Sequence, residues 1–119
     1  MRRKIAPVLL LAALPSLLVA CGQRAQTIGS QTDPLPKNSV VITNLSFIPR
    51  RLVVTAGQTV TWNWNDSLTP HNVSFDNDGP HSPTQASGSW SMTFDTPGTY
   101  TYRCTIHNDM VGQVVVRSS

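Results

Sequence analysis

Val60-Thr61-Trp62-Asn63-Trp64 alternates apolar and polar residues one for one. A period of two puts Val60, Trp62 and Trp64 on one face of an extended strand and Thr61 and Asn63 on the other. Working outward, the same alternation recurs at Val40/Ile42, Leu52/Val54, Val73/Phe75, Met92/Phe94, Tyr100/Tyr102 and Val114/Val116. Ala56-Gly57, Asp66-Ser67, Asp78-Gly79-Pro80, Gly88, Pro97-Gly98 and Gly112 read as the turns between them. No helical pattern of useful length competes from Asn38 onward. The expectation is an all-β domain over residues 38–119, seven to eight short strands in a sandwich of two sheets.

The same alternation aims particular side chains. His71 shares parity with Val73 and Phe75, and Cys104 shares parity with Tyr100 and Tyr102. Both are therefore expected to point into an end of the sandwich. A polar imidazole and a free thiol in such a place are costly unless they are paired or bound. Cys104 also opens the run Cys104-Thr105-Ile106-His107-Asn108-Asp109-Met110. Its Cys-x2-His-x2-Met spacing lets one tight loop present three donors to one ion, with His71 arriving from a distant strand. One thiolate, two imidazoles and a thioether are the donor set of a blue (type 1) copper centre, His2Cys with a long axial Met. Thiolate and thioether suit Cu(I) while imidazole also suits Cu(II), so such a set holds either oxidation state.

Other polar and aromatic residues carry plainer readings. His81 lies in a Gly-Pro-His-Ser-Pro loop and reads as a surface residue. Met92 alternates with Phe94 and reads as core. Trp62 and Trp64 read as packing rather than electron relays. Asp66, Asp76 and Asp78 read as turn residues.

The N-terminus reads as an address rather than a fold. Met1-Arg2-Arg3-Lys4 is a positive start, and Ile5 to Val19 is an apolar run broken by Pro7 and Pro15. That run is short of the roughly 20 residues needed to span a bilayer, so residues 1–20 are expected to be an export signal. It ends Leu18-Val19-Ala20-Cys21, which resembles the bacterial lipobox. The resemblance implies that Cys21 is lipidated and becomes the first residue of the mature protein. Residues 21–37 then form the lipidated cysteine and a Gln/Thr/Ser/Gly/Pro-rich tether. Its reach is at most about 55 Å fully extended. With Cys21 committed to lipid, Cys104 is left as an unpaired thiol in an oxidising compartment, where metal ligation protects it.

Charge excludes one class of partner. The sequence carries nine Lys+Arg against six Asp+Glu, a formal net charge of +3. Arg2, Arg3 and Lys4 leave with the signal, and the remaining chain is balanced. The basic excess belongs to the leader and gives no ground for nucleic-acid binding.

Several stretches resemble the plastocyanin-like, or cupredoxin, family across nearly all of residues 38–119. They are Phe47-x-Pro49-x-x-Leu52-x-Val54-x-x-Gly57-x-x-Val60-x-Trp62, Pro70-His71-Asn72-Val73-x-Phe75, Pro97-Gly98-Thr99-Tyr100 and Met110-x-Gly112-x-Val114-x-Val116. The short gap between His107 and Met110 is similar to the ligand loop of amicyanin-like members, though Ile106 and Asn108 stand where those loops carry prolines. The resemblance implies a Greek-key β-sandwich with one type 1 copper ion held by His71, Cys104, His107 and Met110. It also implies that Asn72 supports the ligand loop, and that His107 is the solvent-edge ligand through which electrons pass. Leu68, Pro70, Ile106 and Met110 are then the apolar patch on which redox partner proteins dock.

The function expected is a membrane-tethered, monomeric carrier of single electrons at an extracytoplasmic membrane face. Copper storage or delivery would use the same ligands, but the Met- or His-rich runs that suit copper exchange are missing. A multicopper enzyme would need further copper centres and a second domain, so the chain is read as a non-enzyme.

Overall fold

The computed structural model describes residues 35–119. The export signal at 1–20, Cys21 and the tether as far as residue 34 lie outside the described residues. Leu35, Pro36 and Lys37 are exposed and precede the first strand. The strands are β1 Ser39–Thr43, β2 Ser46–Ile48, β3 Arg51–Thr55, β4 Gln58–Asn65, β5 Ser74–Phe75, β6 Ser87–Phe94, β7 Gly98–Arg103 and β8 Val111–Arg117.

They form two four-stranded sheets, in the orders β2-β1-β4-β6 and β3-β8-β7-β5. The sheets are mixed: β1 runs parallel to β4, and β3 runs parallel to β8. Only β1–β2 and β7–β8 are chain neighbours paired within one sheet. The links between β2 and β7 all cross from one sheet to the other, which gives the all-β Greek-key sandwich expected.

The alternation of β4 is the hinge of this packing. Val60, Trp62 and Trp64 are buried, while Thr61 on the opposite face pairs its hydroxyl with Ser91 at 2.8 Å and Thr59 with Thr93 at 2.7 Å. Trp62 sits at the centre of the core, with Trp90 and Tyr102 rings at 5.4 Å and the Phe75 ring at 5.8 Å. Each fully buried apolar side chain contributes about 1.5–3 kcal/mol, against about 0.2–1 kcal/mol for a cross-strand pair on the solvent face. The shared core, not the outer hydroxyls, holds the sheets together.

Three sequence expectations need correction. Gly88 and Gly112, read as turns, lie inside β6 and β8, opposite Trp64 and Tyr102. Within β6 the residue at 88 is glycine because its φ of +98° is a left-handed conformation that only glycine takes easily. Gly112 is there because the Tyr102 ring lies across it: a Cβ would stand 2.4 Å from Tyr102 Cζ. Met92, read as core, is only half-buried and packs against the core's edge. The alternation also passes over β2, a three-residue strand following a turn in which Asn44 and Leu45 both have positive φ.

Candidate metal centre

Both sheets contribute to one end of the sandwich. β4 stops at Asn65, and the chain turns through residues 66–70 before His71. His71 lies between β4 and β5, and its backbone is held on both sides. Its N–H donates to Gln85 O at 2.9 Å, and its carbonyl accepts from Gln85 N at 3.0 Å and from Trp64 Nε1 at 2.9 Å. Val73 and Ser82 continue the same ribbon, Ser82 N–H donating to Val73 O at 2.8 Å and Val73 N–H to Ser82 Oγ at 2.9 Å. The inward parity of Phe75 and Val73 therefore runs back to His71, which is fully buried.

Cys104 is the first residue after β7, and Met110 the last before β8. The Cys104 N–H donates to Met110 O at 3.0 Å, which closes the neck of the loop. Both side chains turn inward, with 3 % and 2 % of their surface exposed. Asp109, at φ +65°, makes the left-handed turn that brings the chain back into β8. Among the described residues the thiol of Cys104 has no disulfide partner.

His107 crowns the loop, half-buried. Its Nδ1 lies 3.2 Å from His71 Nδ1 and 3.4 Å from Cys104 Sγ. The donor atoms of His71, Cys104 and His107 all fall within 4.8 Å of one another. First-row ions bind imidazole nitrogen at about 2.0–2.1 Å and thiolate at about 2.3 Å, so near-tetrahedral angles separate the donors by roughly 3.3–3.6 Å. The 3.2 and 3.4 Å separations lie close to that range, and the His71–Cys104 pair, which lies within 4.8 Å, closes further onto a shared ion.

Asn72 joins the two halves of the site. Its Oδ1 accepts from the Thr105 N–H at 2.9 Å, and its Nδ2 donates to Thr105 Oγ1 at 2.7 Å and Thr84 Oγ1 at 3.1 Å. The residue after the thiol is thus fixed to the residue after the buried imidazole. Asp66, read from sequence as a turn residue, does more than turn. Its Oδ2 stands 3.2 Å from His71 Nε2. The signal that would have found it is parity, since Asp66 continues the inward series Val60, Trp62, Trp64 by one step beyond the strand.

Around this end Leu68 (93 %), Ile106 (49 %) and Leu45 (54 %) are exposed, as is Pro70. Met110 is not part of that patch, because its side chain is buried, with 2 % of its surface exposed. His81 is exposed and stands outside the donor cluster. Asp76 pairs with Arg103 through two hydrogen bonds, Nε to Oδ1 at 2.9 Å and Nη2 to Oδ2 at 3.0 Å. Those bonds hold its carboxyl below the usual range.

Residues 36–117 match the family model described as copper binding proteins, plastocyanin/azurin family. Among similar chains, amicyanin-alpha of Methylorubrum extorquens is 36% identical over 94 residues, which cover 72% of this chain and 76% of the relative. A plastocyanin of Scenedesmus fuscus is 37% identical over 87 residues, covering 61% and 88%. The solved structure of an oxidised amicyanin point mutant superposes with a TM-score of 0.61 at 35% identity, over 66% of this chain and 80% of that one.

Proposed function

Since the chain belongs to the plastocyanin/azurin family of copper-binding proteins, we propose that it carries single electrons between redox partner proteins. The observation that carries this reading is the convergence of His71, Cys104 and His107 on one point at the end of a packed sandwich. Copper bound there supplies the one-electron chemistry by alternating between Cu(I) and Cu(II). The imidazoles of His71 and His107, the thiolate of Cys104 and the thioether of Met110 would hold the ion.

The protein's own part is to keep those donors in place. Gln85 and Trp64 fix the His71 backbone, Asn72 fixes Thr105 beside the thiol, and the Cys104–Met110 hydrogen bond fixes the loop neck. A donor set held on this many sides suits two oxidation states with little movement, which favours fast transfer over metal release. His107 alone of the three is within reach of solvent. We assign the exposed Leu68, Pro70 and Ile106 beside it to partner docking, with Leu45 added and Met110 withdrawn.

The same reading places the protein outside the cytoplasm as a monomer. Residues 1–20 direct export, Cys21 bears lipid, and residues 21–37 tether the cupredoxin domain of residues 38–119 to a membrane. No helix among the described residues is long and apolar enough to cross one. Mass spectrometry of the mature N-terminus tests the anchor: a diacylated Cys21 supports it, and a chain cleaved elsewhere with Cys21 unmodified refutes it. Voltammetry of the copper-loaded protein tests the carrier. A reversible one-electron couple is expected; loss of copper on reduction would favour storage or delivery instead.

A further inference from the structure

Asp66 is the first residue beyond β4, and its inward parity brings a carboxylate to the back of the buried His71 ring. The imidazole is fully buried and the carboxylate only 22 % exposed, so little water intervenes between them. The turn that aims Asp66 is itself closed, with the Thr69 N–H donating to Asp66 O at 3.1 Å. One imidazole nitrogen therefore meets a carboxylate while the other, Nδ1, faces His107 and the thiol. An ionised carboxylate accepts and does not donate, so the His71 proton belongs on Nε2 and the Nδ1 lone pair is free for the ion.

Resting on the copper reading above, we propose that Asp66 is a positioning and charge-setting residue for the metal centre. It locks His71 in the Nε2–H tautomer and biases the copper couple toward the oxidised state. Two physical effects act in the same direction. A carboxylate on the distal nitrogen raises the basicity of the ligating one. Its negative charge, in a poorly hydrated place, favours the more positive oxidation state of a nearby ion. His107 has no described carboxylate contact, so the two imidazoles are unequal: a buried ligand carrying the charge bias, and a half-buried one open to partners.

Asp66→Asn separates the two effects, because it keeps an acceptor oxygen for Nε2–H and removes the charge. In copper-loaded protein it is expected to shift the Cu(II)/Cu(I) equilibrium at least fivefold toward Cu(I), a potential about 40 mV higher at 59 mV per tenfold. A smaller shift overturns the charge bias. Asp66→Ala removes the acceptor as well, and Cu(II) affinity should fall at least tenfold. Unchanged affinity overturns the positioning role. Should the variants not fold, nitrogen-15 NMR of the metal-free wild-type protein still decides: His71 protonated on Nε2 supports the proposal, and on Nδ1 refutes it. A wild-type protein without a blue copper signal would instead refute the parent reading, and leave the NMR result to judge Asp66 alone.

Discussion

Tyr102 is a buried phenol whose hydroxyl makes no hydrogen bond, and the indole N–H of Trp62 in the same core makes none either. Burial pushes the phenol up to about 12, an effect that the nearby Trp62 N–H only partly offsets. In the unfolded chain the same group loses its proton near its ordinary value of 10.0. The neutral phenol's contribution is therefore complete below pH 10 and is lost as pH rises from 10 to about 12. About 2–3 kcal/mol of stability should vanish across that window. Denaturant unfolding as a function of pH should show the decline in the wild type and not in Tyr102→Phe. At neutral pH, where that variant merely removes an unsatisfied polar atom, it should lose little or nothing. The cluster of His71, Cys104 and His107 was legible in the sequence because two of them fall within one loop and their chemistry is distinctive. Asp66 was not, because parity aims it inward but only the course of the five-residue turn that follows brings it against the His71 ring.

At the scale of the elements, β7 and β8 carry the strongest steric constraint. Gly112 faces inward under the Tyr102 ring, and any Cβ would meet Cζ at 2.4 Å and the hydroxyl oxygen at 2.5 Å. The ring is central to the aromatic core, with Phe47 at 4.7 Å and Trp62 at 5.4 Å, so it cannot step aside freely. Gly112→Ala should therefore cost about 1–3 kcal/mol by overpacking, read as a lower denaturant midpoint with an unchanged slope. The change should also disturb the site, since Gly112 stands two residues beyond Met110 in the strand that closes the ligand loop. Period-two alternation found the long strands readily, because each buries one face on a shared core. It failed at Gly112 and Gly88, where glycine serves close packing or a left-handed φ rather than a turn. It also missed β2, whose single buried residue, Phe47, offers no alternation to read.

At the scale of the whole described domain, His71, Cys104 and His107 gather at one end of a small sandwich, and a domain of this size has modest intrinsic stability. Copper that binds only the folded state adds RT ln(1 + [Cu]/Kd), about 4 kcal/mol when free metal exceeds Kd a thousandfold. The melting temperature of the copper form should exceed that of the metal-free form by roughly 15 °C or more. Equal values by calorimetry would mean that the site is weak. The central claim, a thiolate-ligated copper centre built on Cys104, is tested most directly by visible and EPR spectra of the Cu(II)-loaded protein and of Cys104→Ser. The wild type should show an intense blue thiolate-to-copper band with a narrow copper hyperfine splitting, and the variant should show neither. A colourless wild-type protein, or one with an ordinary tetragonal Cu(II) signal, would contradict the account.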